Sequence, residues 1–306
     1  MNVKAALVII AFKRPKTLNL VLESVSAALV PEYQRIIFVQ QGKNEEVSSL
    51  IKSFNYLPSQ YLNYERTEAK SPEQAINANV YRGVAAAFEN RDINLVTVLE
   101  DDILIAKDFL KFNLEICKTH YLDPAFRGIN GFSGIPRSTS NCVTYSKQRF
   151  GLGWGWSITD KTWKEMKEFW LGTENFHWDG LVESFCKCGF VIMPSQSRII
   201  NLGFSEDATH TSNSDETKEI ESKLIDSFVG DLEDFSSFTE VSEKQNWRID
   251  CLPYLCGNKF SNIVVQKIYE IQYILRIKPG NTKTLIKVKA KLLGFFQRAV
   301  NSLSLR

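Results

Sequence analysis

The sequence predicts an α/β fold, a mixed and mostly parallel sheet sandwiched by helices, followed by a basic helical extension at the C-terminus. Three observations lead there. Short apolar runs rich in β-branched residues, such as "AALVIIAF" (5–12) and "RIIFVQ" (35–40), have the continuous character of strands buried on both faces. Segments with apolar residues at helical spacing alternate with them, the pattern of a parallel sheet with helical crossovers. With 306 residues and 44% hydrophobic content, the chain has ample material for one large core.

Taken in order, the first strand is 5–12. Pro15 opens a helix whose stripe is Leu18, Val21, Leu22, Val25 and Leu29. The second strand, 35–40, ends at Gln41-Gly42, and a short helix is expected over 45–54. Ser71, Pro72 and Gln74 supply a cap, a first-turn proline and a capping-box partner for a helix with the stripe Ile76, Val80, Val84 and Phe88. "INLVTVLE" (93–100) is the third clear strand. A helix follows around 106–119, then a strand near 127–133, a loop to about residue 150, the segment "FGLGWGW" (150–156) and a helix near 160–170. Another helix is expected to begin near Asp179. "FVIMP" (190–194) is a short strand, and "RIINLGF" (198–204) is a candidate for one more.

Charge is distributed unevenly. The whole chain carries +2, but 259–306 holds ten Lys/Arg and one acid, which leaves the remaining 258 residues at −7. Nucleic-acid binding is therefore not expected of the main body. The six cysteines are scattered, which favours a reducing compartment over a disulfide framework. Cys186, Cys188, Cys251 and Cys256 are poorly spaced for a zinc site. The eight-residue apolar run near the N-terminus is far short of the roughly 20 residues a membrane span needs, and it reads as a buried strand. No Gly-x-Gly-x-x-Gly follows the first strand and no Gly-x4-Gly-Lys-Ser/Thr occurs, which argues against dinucleotide and P-loop sites.

The unusual feature is Glu100-Asp101-Asp102, three carboxylates at the end of a buried strand. In open α/β sheets ligands bind beyond the carboxyl ends of the strands. In an extended chain Glu100 and Asp102 would share one face, ~6.6 Å apart. Their repulsion is then roughly 2.5 kcal/mol at an effective dielectric of 20 and ~0.6 kcal/mol in water. Two readings stand: an exposed acidic turn, for which that cost is small, or a site for a divalent cation, which reverses its sign.

Four motifs occur in sequence: "LEDDILIAKDFLKF" (99–112), "FGLGWGW" (150–156), "HWDGLVES" (177–184) and "INLGFSEDATHT" (200–211). Together with the opening "ALVIIAFKRP" (6–15), they resemble the landmarks of GT-A fold nucleotide-sugar glycosyltransferases. The resemblance is to the N-acetylglucosaminyltransferase I type and its bacterial relatives, over roughly residues 3–215. It implies that Asp102 ligates Mn²⁺ or Mg²⁺ with help from His210, and that Asp179 is the catalytic base. Donor binding would draw on Arg14, Gln41, Arg82, Glu100, Asp101, Gly153 and Trp154. Acceptor binding would draw on Trp156, Trp178, Glu206 and Asp207. Two departures stand out: Gln41 precedes Gly42 where the family commonly has Asp, and Gly180 follows Asp179 where a second acid is common.

The function this implies is metal-dependent transfer of a sugar from a nucleotide-diphosphate sugar, UDP-linked by preference, to a hydroxyl of a glycan or lipid-linked acceptor in bacterial cell-surface polysaccharide synthesis. Inversion is expected, because no nucleophile flanking the anomeric carbon is evident. Such a reaction needs neutralisation of the leaving diphosphate, a base for the acceptor hydroxyl, and exclusion of water. Bland readings stand beside these: Asp179 also sits where a helix N-cap would be, His210 is a single histidine in a loop, and Trp154 and Trp156 also suit a core. His177 is a second candidate base. The competing functions are an inactive sugar- or nucleotide-sugar-binding protein of the same fold, and a nucleotidyltransferase. The latter is expected to carry a glycine-rich loop after the first strand, and "AFKRPKTLN" has no glycine.

The expected organisation is a catalytic domain over 1–215, divided into a nucleotide half (1–105) and an acceptor half (106–215). An acidic linker or flap (216–246) and the basic extension (247–306) follow. In "TKTLIKVKAKLLGFFQRAV" (282–300), Leu285, Val288, Leu292, Phe295, Phe296 and Ala299 share a face, and the lysines lie elsewhere. Two partners fit that face: an anionic membrane surface, or protein, either the chain's own core or a second subunit. With no N-terminal anchor evident, the expected location is the cytoplasm, peripheral on the inner membrane face.

Overall fold

The computed structural model describes residues 2–64, 72–133, 144–148, 152–170, 186, 189–203 and 233–234. The chain divides into two compact units, Met1–Asn258 and Lys259–Arg306, and the described residues all belong to the first. The acidic segment, apart from 233–234, and the basic extension with its candidate helix fall outside them.

Strand β1 (Ala5–Ala11) is an interior strand of the main sheet, and every one of its residues is buried. Its side chains alternate between two cores. Ala5, Leu7, Ile9 and Ala11 join one hydrophobic cluster, while Ala6, Val8 and Ile10 join the other. That is why the run reads as unbroken apolar rather than alternating. Burying each of the larger side chains contributes about 1.5–3 kcal/mol.

Helix α1 (Pro15–Ala28) buries Leu18, Val21, Leu22, Val25 and Ala28 in the first cluster. Strand β2 (Tyr33–Gln41) pairs parallel with β1, and α2 (Glu45–Ser53) follows, its Asn44 side chain accepting from the backbone N–H of Val47. Strand β3 (Ser59–Tyr64) extends the sheet in parallel. Its sequence, "SQYLNY", is half polar because it forms an edge, and for that reason it was not legible as a strand.

Helix α3 (Pro72–Glu89) crosses the opposite face and delivers Val80 and Val84 to the second cluster, with Ile76 and Phe88 packed against it. At Gly83 the helix meets the sheet so closely that a Cβ would lie 2.5 Å from Val8 Cγ1. Strand β4 (Leu95–Glu100) pairs parallel with the other side of β1.

The chain then turns and changes style. A two-residue turn leads into the short strand β5 (Ile103–Ile105), which pairs antiparallel with the late strand β10 (Ile199–Asn201) in a small separate sheet. Helix α4 (Phe109–His120) therefore starts later than expected, after β5. Strands β6 (Phe126–Asn130), β7 (Thr144–Gln148), β8 (Trp156–Thr159) and β9 (Phe190–Pro194), with α5 (Asp160–Trp170), complete the main sheet. The two-residue strand β11 (Glu233–Asp234) pairs parallel with β7. The order is β11-β7-β9-β6-β8-β4-β1-β2-β3. Strand β8 runs antiparallel to both β4 and β6, and β7 antiparallel to β9; the other neighbours are parallel. Helices α1, α2 and α4 contribute to one cluster and α3 and α5 to the other, so the predicted mixed, mostly parallel sheet is covered on both faces.

This topology defines one place for a ligand. From β1 the chain moves outward through β2 to β3, then crosses back to place β4 on the other side of β1. The strand order reverses between β1 and β4, which opens a crevice beyond their carboxyl ends.

Candidate functional site

Two segments meet at that crevice. One is the turn after β1, Phe12-Lys13-Arg14, which leads into α1. The other is Asp101-Asp102, which follows β4. Register sets them side by side, because Ile10 of β1 pairs with Glu100 of β4.

The acidic residues are not an exposed turn. Asp101 is 7% exposed and Asp102 8%. The expectation that Glu100 and Asp102 share a strand face also fails, because β4 ends at Glu100 and the chain turns before Ile103. The neighbouring pair Asp101 and Asp102 forms the cluster instead.

Each carboxylate has a defined partner. Asp101 Oδ2 accepts from the backbone N–H of Phe12 at 2.9 Å. The Arg14 guanidinium donates to Asp102 Oδ2 in a direct ion pair, and it lies 3.9 Å from Asp101 Oδ1. One full positive charge thus faces two carboxylates. Burial pushes the Asp101 carboxyl up from 3.8 to about 6, with the neighbouring Asp102 charge adding to the rise; the Phe12 N–H and Arg14 oppose it. Burial likewise raises Asp102, against the pull of Arg14.

The ribbon β5–β10 closes over the same spot. Leu202 N–H donates to the Asp102 carbonyl at 2.8 Å, and Asn201 pairs with Ile103. A Cβ on residue 203 would fall 2.2 Å from Asp102 Oδ2, so only a glycine lets the backbone pack this closely against that oxygen. The motif "INLGFSEDATHT" thus begins against Asp102. Its later members Glu206, Asp207 and His210 lie outside the described residues.

On the far side of β1, the ends of β2 and β3 carry a second polar group. Asn79 of α3 donates to Gln41 Oε1 at 3.3 Å. Arg82, one turn further along, places its guanidinium 4.1 Å from the centre of the Tyr64 ring. Gly42 takes φ +73°, which turns the chain sharply after Gln41.

The glycine-tryptophan segment approaches from the other side. Gly153 N–H donates to Asn130 Oδ1 at 2.8 Å, and Gly131 N–H to the Gly155 carbonyl at 2.7 Å. Gly155 takes φ +58°, and a Cβ there would lie 2.8 Å from Ile199 Cγ2 of β10 and 3.6 Å from Ile103 Cγ2 of β5. The two tryptophans separate in role. Trp154 is half-buried, edge-on to Phe132 at 5.1 Å. Trp156 is 3% exposed and belongs to the second hydrophobic cluster, so its ring faces the core. Asp179, Trp178 and His177 fall outside the described residues.

Sequence reasoning passed over several participants. The Phe12 N–H is a backbone group with no sequence signal. Tyr64 ends a strand that was not recognised. Asn130 and Gly203 lay within segments already singled out, but only the three-dimensional approach assigns them contacts.

A divalent cation suits the chemistry of this donor set. Carboxylate oxygens are the hard ligands that Mg²⁺ and Mn²⁺ take. Among the described residues no group of three or more His, Cys, Asp and Glu side chains converges, so further ligands would have to come from water, from a bound molecule or from elsewhere in the chain. Among the same residues no helix is long and apolar enough to cross a membrane.

No protein-family model and no curated protein matches the chain. Its fold is similar to several solved structures at low identity. S. aureus TarS 1-349 in complex with UDP-GlcNAc matches at 12% identity over 73% of this chain and 68% of that one, with a TM-score of 0.47. The 4-diphosphocytidyl-2C-methyl-D-erythritol synthase from Anaerococcus prevotii matches at 13% identity over 68% and 93%, TM-score 0.45. Glucosyl-3-phosphoglycerate synthase from Mycobacterium tuberculosis in complex with Mn²⁺, uridine-diphosphate and phosphoglyceric acid matches at 10% identity over 54% and 57%, TM-score 0.35. A further match to TarS 1-349 spans 60% of that chain. At these values the likeness assigns no activity.

Proposed function

We propose that this chain is a metal-dependent glycosyltransferase that uses a nucleoside-diphosphate sugar. The observation that carries the reading is the pair Asp101–Asp102, buried beside Arg14 at the crevice where strand order reverses. Two buried carboxylates facing a single arginine are costly to keep unless a ligand uses them.

In this reading Asp102 holds Mn²⁺ or Mg²⁺, with His210 as a further ligand. When bound, the metal supplies Lewis-acid neutralisation of the leaving diphosphate. Asp101 fixes the β1–α1 turn through the Phe12 N–H. Arg14 and the N-terminal end of α1 favour the diphosphate. Gln41 and the Arg82–Tyr64 pair stand on the side of the crevice suited to the nucleoside. Trp154, set by Gly153 and Gly155, offers an apolar edge to the sugar. Asp179 takes the acceptor proton. Trp156, enclosed in the core, supports the loop rather than meeting an acceptor. The acceptor, a glycan or lipid-linked hydroxyl, is carried over from the motif resemblance, as are Trp178, Glu206 and Asp207 in its binding.

The test is a thermal-shift screen of nucleotide sugars with and without Mn²⁺, followed by a transfer assay on the best donor. Asp102→Ala is expected to abolish both the Mn²⁺-dependent shift and transfer. Asp179→Asn is expected to keep the shift and lower turnover by about 10²–10⁴. A shift without turnover in the wild-type chain would favour an inactive binder. Release of pyrophosphate from a nucleoside triphosphate would favour a nucleotidyltransferase. Full activity in chelator rules out the metal role.

A further inference from the structure

Asp102 Oδ2 is asked to do two things. It accepts the Arg14 guanidinium, and in the proposed function it also holds the divalent ion. A divalent ion on that oxygen and an arginine in contact with it would place two cations against one carboxylate. The Arg14 side chain is 23% exposed, against 10% for Asp101 and 12% for Asp102, so it is the most solvent-accessible of the three. It is also the residue best placed to leave. It begins at the N-cap of α1, where its side chain makes no capping bond. The exposed Lys13 and Lys16 flank it on the same turn.

We propose that Arg14 is the resident countercation of Asp102 and exchanges with the divalent ion, passing its guanidinium to the diphosphate of the nucleotide. The inference rests on the glycosyltransferase reading for the identity of the two ligands. Its physical basis is charge balance at a buried site. In the ligand-free protein, Arg14 offsets part of the cost of burying two carboxylates. With a divalent ion held by Asp102, the Arg14 guanidinium would lose that partner, and its planar fork would be left to suit phosphate oxygens. A diphosphate supplies the missing partner. Metal and nucleotide therefore bind cooperatively, and by linkage each tightens the other by the same factor. The metal alone binds weakly because it must first displace a bonded arginine.

The experiment measures Mn²⁺ binding to the full chain by the loss of the free-ion electron paramagnetic resonance signal, with and without UDP. Wild type, Arg14→Gln, Arg14→Lys and Asp102→Asn are compared, with UDP's own Mn²⁺ affinity subtracted. In the wild type, UDP is expected to tighten Mn²⁺ about tenfold or more, within the usual range of coupling between sites. Arg14→Gln is expected to bind Mn²⁺ alone about tenfold more tightly than wild type, with the effect of UDP reduced to less than about threefold. Arg14→Lys keeps the charge but loses the fork, so Mn²⁺ alone should bind as in wild type while the UDP effect weakens. It also provides the comparison if the glutamine variant does not fold.

Unchanged or weaker Mn²⁺ binding in Arg14→Gln, with binding lost in Asp102→Asn, overturns the exchange and leaves the metal site standing. Tighter Mn²⁺ binding with undiminished UDP coupling overturns the transfer of Arg14 to the diphosphate. Mn²⁺ binding that is absent, or independent of Asp102, overturns both the exchange and the functional reading beneath it.

Discussion

The two halves of the sheet are built by different means. From β1 to β4 the strands are parallel, and all but the edge strand β3 are apolar runs; apart from Thr97 and the α3 residues Asn77 and Asn79, the polar side chains buried there gather at or beyond the carboxyl ends: Gln40, Gln41, Asp101 and Asp102. From β5 to β10 strand direction is mixed and the polar groups go inward. Arg198 is 0% exposed, its Nε 3.0 Å from Asp108 Oδ2 and its guanidinium 4.1 Å from the centre of the Phe112 ring. Glycines 128, 131, 155 and 189 sit where a Cβ would meet another atom at under 3 Å. The first half is a platform whose ends are free to carry chemistry. Among the described residues, the second is fitted by close backbone approach at those four glycines, where the first has Gly83 alone, and by the buried Arg198–Asp108 pair.

Removing Arg198 should disturb the second half most. Its backbone N–H donates to Gly131 and its carbonyl accepts from Ala106, so it joins the ends of β6 and β5 just before β10 begins. Arg198→Ala leaves Asp108 buried without its main partner, and we expect a loss of about 3–5 kcal/mol in urea denaturation. The double change Arg198→Met with Asp108→Leu is expected to recover most of it, because apolar replacement of a buried pair is often neutral. A loss below about 1 kcal/mol for the single variant would mean that the pair does not pin this half.

Matched glycine substitutions sharpen the contrast. Gly131→Ala forces a Cβ to within 2.7 Å of both Ile199 and Phe109, and overpacking of that kind costs about 1–3 kcal/mol. In the first half, Gly42→Ala meets only Phe12 at 3.9 Å and carries just the strain of a positive φ, about 1 kcal/mol. Paired melts of the two variants check the order. If Gly42→Ala is the more damaging, close approach is not what distinguishes the second half.

The same difference explains how much was legible. The elements of the first half follow from periodicity, because fully buried strands and amphipathic helices carry one-dimensional signals. Only β3 escaped, and it is an edge. In the second half β5, β7 and β8 were missed: β5 and β8 have three and four residues, and "TYSKQ" of β7 has no apolar run. Of the site, the carboxylate cluster was visible as an anomaly, but its geometry was not. The turn after Glu100 replaces Glu100 with Asp101 as the neighbour of Asp102, and the partner is an arginine 88 positions earlier in the chain. The glycine-tryptophan motif was visible as one unit, and only packing separates half-buried Trp154 from enclosed Trp156.

The smallest effect concerns the cost of keeping charge at the rim of the platform. Burial lifts the Asp101 carboxyl from 3.8 to about 6, so the native state holds that proton more tightly than the unfolded chain does. Stability from this group therefore falls as pH rises from about 4 to about 6, and the full cost is present above that window. Asp101→Asn removes the charge and keeps an oxygen to accept the Phe12 N–H. In chelator at pH 7.5 we expect the variant to be more stable by about 1–3 kcal/mol, a rise of a few degrees in melting temperature. At pH 5 the advantage should shrink. An equal or lower melting temperature at pH 7.5 would show that the ionised carboxylate's bond to Phe12 and its attraction to Arg14 outweigh its burial, and the first half would then resemble the second in relying on inward polar contacts. A gain confined to the higher pH would instead mark Asp101 as a residue the fold tolerates at a loss, which is the expected behaviour of a group retained for a ligand.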